Sequence, residues 1–133
     1  MTMQTFYQTV IQTSGESSQE AARRATAAVF HTLRDRLTPG EADQVAAQLP
    51  IELKDVWWAG DQTERRPLKV HRQEFYQRVV KEASLPSIKE ARWVTLAVFA
   101  ALKEQLSPGE AEDVLAQLPK DLKEVWLEAQ AQT

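Results

Sequence analysis

The 133-residue chain has no cysteine. That removes disulfides, thiolate nucleophiles and cysteine-bound zinc from consideration. It has only 4 glycines, and no GxxxxGK(S/T), GxSxG or HExxH motif appears in it, so phosphate cradles, nucleophile elbows and helical zinc-protease sites are not expected. Basic residues are in the minority, 16 against 19 acidic ones, for a net charge of -3. A general nucleic-acid binder would show a basic surplus, so nucleic acid is not an expected partner. The longest apolar run, Trp93 to Leu102, is interrupted only by Thr95; it is too short to span a bilayer and suits a core helix. The first ten residues, MTMQTFYQTV, have no basic stretch leading into an apolar one, so no signal peptide is read and a cytoplasmic location is expected.

What is present is a doubled sequence. Residues 6–58 align without a gap on 75–127 at an offset of 69, and 26 of the 53 positions are identical. Phe6 matches Phe75, Tyr7 matches Tyr76, Phe30 matches Phe99 and Trp57 matches Trp126. LTPGEA at 37–42 matches LSPGEA at 106–111, and AQLP at 47–50 recurs at 116–119. Self-similarity of this kind marks a duplicated folding unit, here joined by residues 59–74.

The apolar spacing in each copy is helical. A first helix runs over roughly Thr5–Gln12, with Phe6/Val10 and Tyr7/Ile11 as i, i+4 pairs, and Gly15 turns the chain. A second starts near Ser17, where Ser17 and Glu20 have capping-box spacing; Ser87 and Glu90 have the same spacing one position out of register. Its apolar stripe is Ala22, Ala25, Val29, Phe30, Leu33 and Leu37. A third opens on Thr38-Pro39-Gly40-Glu41, repeated as Ser107-Pro108-Gly109-Glu110, a capping hydroxyl followed by proline and a carboxylate. Pro50 starts a short fourth helix, with Leu53, Val56 and Trp57 facing inward.

The expected fold class is all-α: two tandem four-helix repeats, 6–58 and 75–127, packed as one pseudo-twofold domain over 1–133. A 53-residue unit buries too little apolar surface to be secure alone. The second helix of the second copy is apolar almost all round and must be covered on several sides. Ala28 and Ala97, small and equivalent, would let the two second helices approach.

These same residues resemble a bacterial family, domain of unknown function 2267. Its pattern reads here as Glu74-Phe75-Tyr76 to Val79, Leu102 to Leu106, then SPGEAEDVLAQLPKDLKEVW; the first copy has LTPGEADQVAAQLPIELKDVW and departs at Thr5, where the second has Glu74. The resemblance implies a small all-α protein of two such units from a bacterial source, and carries over no catalytic residue.

Candidate chemistries are few. Neither His31 nor His71 has a glutamate three residues before it, so the di-metal bundle motif is missing, and both are read as structural or exposed. Glu41 and Glu110 recur by symmetry but are read as helix caps. No catalytic residue, metal ligand or cofactor is expected, and the chain is not read as an enzyme. Trp57 and Trp126 belong to the core. Trp58 and Trp93, matched to Leu127 and Arg24, are candidates for an interaction surface, as are Arg65, Arg66 and Arg72 in the mildly basic connector. That connector is read as pinned to the core by Leu68 and Val70, with its arginines on acidic helix ends; the alternative is a contact for a small anion or nucleic acid, which the acidic balance of the chain disfavours. The expected function is a non-enzymatic protein–protein interaction module, with an unknown protein partner or a homo-oligomer and no membrane contact. The alternative is a carrier or sensor holding a small apolar ligand between the repeats.

Overall fold

A computed structural model describes residues 2–15, 18–61 and 66–130. Every regular element among them is an α-helix, in the order α1 Met3–Ser14, α2 Gln19–Arg36, α3 Pro39–Ala47, α4 Ile51–Trp58, α5 Arg72–Ala83, α6 Ile88–Gln105, α7 Pro108–Ala116 and α8 Lys120–Glu128. The all-α class holds. None of the described helices is long and apolar enough to cross a membrane.

Local chemistry sets most helix ends. Thr2 caps α1 by accepting from the Thr5 N–H, and Gly15 ends it at φ 79°, donating its own N–H to the Ile11 carbonyl. Such a backbone angle costs glycine little. Ser18, not Ser17, caps α2, accepting from the Ala21 N–H; Ser17 lies outside the described residues. Ser18 aligns with Ser87, the cap of α6, so the two caps fall in register rather than one position apart. Thr38 and Ser107 cap α3 and α7 by accepting from the N–H groups of Glu41 and Glu110, with Pro39 and Pro108 as the first helical residues. Pro50 and Pro119 stand at the caps of α4 and α8.

The connector differs from its sequence reading in two ways. Helix α5 already begins at Arg72, capped at His71, whose N–H donates to the Glu74 carboxylate at 2.8 Å; residues 72–74 are therefore helix, not linker. Val70 is buried, but Leu68 is 39% exposed. The backbone of Leu68 makes the tie instead, its N–H donating to the Asp35 carbonyl at 2.8 Å.

Tertiary packing crosses between the first four helices and the second four. α1 packs against both α2 and α6, and α5 against both α6 and α2. α2 and α6 touch directly, with Ala28 and Ala97 fully buried. On α6 every residue from Val94 to Leu102 is buried, as its all-round apolar character requires. One continuous core takes side chains from all eight helices. Within it run two matching aromatic chains: Phe6 meets Phe30 edge-on at 5.6 Å and Phe30 meets Trp57 at 5.4 Å, while Phe75 meets Phe99 at 5.7 Å and Phe99 meets Trp126 at 5.0 Å. Edge-to-face pairs of this kind add about 0.5–1.5 kcal/mol each beyond area burial. Val56, read as inward-facing, is only half-buried, whereas Leu53 and Trp57 beside it are fully buried.

A cation from each long helix closes the end of a short one. Arg34, 3% exposed, donates from Nη1 to the Trp57 and Ala59 carbonyls, both at 2.7 Å. Lys103 on α6 does the same for α8, donating to the Trp126 carbonyl at 2.8 Å and the Ala129 carbonyl at 3.0 Å. These carbonyls have no intrahelical partner, and the negative end of a helix dipole favours a cation. Burial pushes the Lys103 ammonium below its ordinary range.

Two outcomes follow. Fragments 1–60 and 70–133, expressed separately, will show no cooperative thermal transition by circular dichroism, because each keeps only one of the two long helices against which its first helix packs. Arg34→Met will cost about 2–4 kcal/mol in a urea titration, since it leaves the buried Trp57 carbonyl and the partly buried Ala59 carbonyl without this donor.

Candidate functional site

The two histidines are held in structural bonds. His31 on α2 places Nε2 2.8 Å from the Val56 carbonyl and Nδ1 2.6 Å from Glu82 Oε2 on α5, so it joins the two sets of helices. Both ring nitrogens lie within hydrogen-bond distance of an oxygen. His71 stays exposed at the cap of α5, with Nδ1 3.6 Å from Asp121 Oδ1. Burial works against the Asp121 charge, but the Arg72 N–H and His71 outweigh it and hold that carboxyl below its usual range.

The proposed surface residues are spread over several elements. Trp58 is half-buried against the core. Arg66 is exposed, and Arg65 lies outside the described residues. Arg72 is exposed, and it is its backbone N–H, not its guanidinium, that meets an acidic helix end, donating to Asp121 Oδ2 at 3.0 Å. Trp93 is 44% exposed, between buried Ala91 and the buried run Val94 to Leu102. It lines a shallow depression of about 160 Å³ with Thr13, Leu96, Glu128, Ala129 and Gln130. The Arg92 guanidinium sits over the indole, 5.3 Å from its centre, and is itself bonded to Glu128.

The most unusual chemistry lies where α3 meets α7. The recurring glutamates were read as the second half of a capping box, reaching back to the Thr38 and Ser107 N–H groups, and the structure corrects this. Those N–H groups are taken by glutamines from the opposite set of helices. Thr38 N–H donates to Gln117 Oε1 at 2.9 Å, and Ser107 N–H donates to Gln48 Oε1 at 2.7 Å. Each glutamine also turns its amide nitrogen toward the capping hydroxyl, Gln117 to Thr38 at 3.2 Å and Gln48 to Ser107 at 3.4 Å. The glutamates, relieved of capping, are brought together instead.

Glu41, Glu110 and Asp113 place carboxylate oxygens within 4.8 Å of one another. Glu110 is only 5% exposed. One oxygen each of Glu41 and Glu110 is buried with no hydrogen-bond partner, and the Gln117 amide lies 3.5 Å from the other oxygen of Glu41. Burial first, then the hydrogen bond to and charge of Glu41, then the charge of Asp113, push the Glu110 carboxyl up to about 8. Like charges this close cannot both ionise cheaply, so Glu110 gives up its proton at a higher pH than an ordinary carboxyl.

Asp113 went unnoticed in the sequence because its partner position in the first copy is Gln44, so it has no place in the repeated pattern. Its spacing of three from Glu110 was the available signal, since such residues share a helix face. Gln48 and Gln117 were visible only as part of the repeated AQLP.

A folded-state carboxyl raised from 4.5 to about 8 binds a proton that the unfolded chain has already released. Its stabilising contribution is therefore complete below about pH 4.5 and is lost as pH rises toward 8. Urea midpoints of the chain in EDTA will fall between pH 5 and 8.5, and Glu110→Gln, which keeps a neutral side chain throughout, will flatten that slope.

A family model described as an uncharacterized conserved protein (DUF2267) matches residues 3–125. No curated protein matches the chain. With nearly the whole chain inside that match, the protein belongs to the DUF2267 family.

Proposed function

We propose that this is a non-enzymatic helical module of a bacterial cytoplasm that works through protein–protein contact, a second copy of the chain being its partner. The reading treats the molecule as one domain in which units 6–58 and 75–127 are related by an approximate twofold axis. Matching helix lengths and the reciprocal Gln48–Ser107 and Gln117–Thr38 bonds support that arrangement.

The observation that carries the functional reading is Trp93. Helix α6 is otherwise buried from Val94 to Leu102, yet Trp93 stands 44% exposed where the first copy has Arg24. Leu127 on α8 is 59% exposed. An exposed tryptophan flanked by arginine is the kind of residue that anchors interfaces. Arg92 and Glu128, of opposite charge beside it, make the face self-complementary: two copies meeting about a twofold axis would set each cation against the other copy's anion. The histidines support the non-enzymatic half of the reading, because His31 spends both ring nitrogens on structural bonds.

Sedimentation across a hundredfold concentration range tests it. The wild-type mass will rise above the 15.1 kDa of one chain, and Trp93→Arg, which installs the first copy's residue, will hold the mass at the monomer value. A wild-type monomer at every concentration would sink self-association through this face.

A further inference from the structure

We propose that the seam between α3 and α7 is a binding site for a hard divalent cation of the Mg²⁺/Mn²⁺ class, ligated by Glu41, Glu110 and Asp113. The proposal stands apart from self-association through Trp93, which involves other residues. The sequence suggested no metal site because the two glutamates looked fully employed as caps. The tertiary structure hands that work to Gln48 and Gln117 and leaves the carboxylates facing one another.

Three observations carry it. The first is geometric. Oxygens from three carboxylates lie within 4.8 Å of one another, the spread allowed to ligands around one ion with bonds of about 2.0–2.5 Å. The second is an unmet valence. Glu110 is 5% exposed, and its Oε2 is buried without a hydrogen-bond partner, as is Oε2 of Glu41. A buried anionic oxygen without a partner is costly, and a cation seated between the two glutamates would satisfy both. The third is the donor set. Every ligand is a carboxylate oxygen, which selects hard cations over zinc or copper. The charged groups acting on Glu110 are Glu41 and Asp113, both acidic. Asp113 is exposed, so one side of the site opens to water, and Mg²⁺ and Mn²⁺ ordinarily keep several water ligands.

The competing occupant is a proton shared by Glu41 and Glu110, and calorimetry separates the two. The full chain, stripped with EDTA and desalted, is titrated with MnCl₂ at pH 8. The expected result is one site per chain, with a melting temperature that rises with Mn²⁺ because the ion binds only the folded form. Asp113→Asn removes one ligand together with one charge that repels Glu110, so its EDTA-treated melting temperature will not fall, and it will raise the dissociation constant about tenfold, near 1.4 kcal/mol. Glu110→Gln will abolish binding. Absence of saturable heat at millimolar Mn²⁺, with an unmoved melting temperature, would overturn the proposal and leave the proton as sole occupant. Binding unchanged in Asp113→Asn would overturn it as well, because the ion would then sit elsewhere on an acidic surface.

Discussion

The structure depends on a reciprocal debt of apolar surface. Helix α1 covers α6, α5 covers α2, and the two long helices touch each other between them. Each set of four helices has its own aromatic chain, Phe6–Phe30–Trp57 or Phe75–Phe99–Trp126, but neither set closes its own core. A unit of some fifty residues rarely buries enough surface to offset the entropy of ordering it. Joining two such units into one continuous core raises the buried fraction for both.

The same crossing recurs in the polar contacts. His31 reaches from α2 to Glu82 on α5, Gln117 reaches from the end of α7 to Thr38 at the start of α3, and Gln48 returns the favour to Ser107. Arg34 and Lys103 act differently, each closing a short helix within its own set. Helix ends thus find their missing partners in two places: their own carbonyls are met locally, and their capping backbone N–H groups at α3 and α7 are met from across the seam. Placing two helix N-termini side by side by this route is what brings Glu41 and Glu110 into contact, and burial, with that contact added to it, raises the Glu110 carboxyl.

Much of the fold was legible beforehand. Proline after a hydroxyl at 38–39 and 107–108 marked two helix starts, and the apolar stripes of the long helices predicted Val29, Phe30, Leu33 and their counterparts as core. Leu68 and Val56 were misread because an apolar letter in a connector or a short helix says nothing of which side the chain turns. The seam was misread for a related reason. Glutamate three residues after a capping hydroxyl fits a local hydrogen bond, and local spacing carries no knowledge of a competing glutamine 76 residues away in sequence.

By itself the sequence determined the all-α class, the doubling at an offset of 69 and most of the buried side chains, because helical periodicity and capping act within a few residues. Only the tertiary structure decided which set of helices each first helix lies upon, and which side chain finishes each cap. It also decided that three acidic groups would share one small space. Those outcomes arise from contacts between segments far apart in the chain, where burial and charge, rather than local propensity, choose the partner.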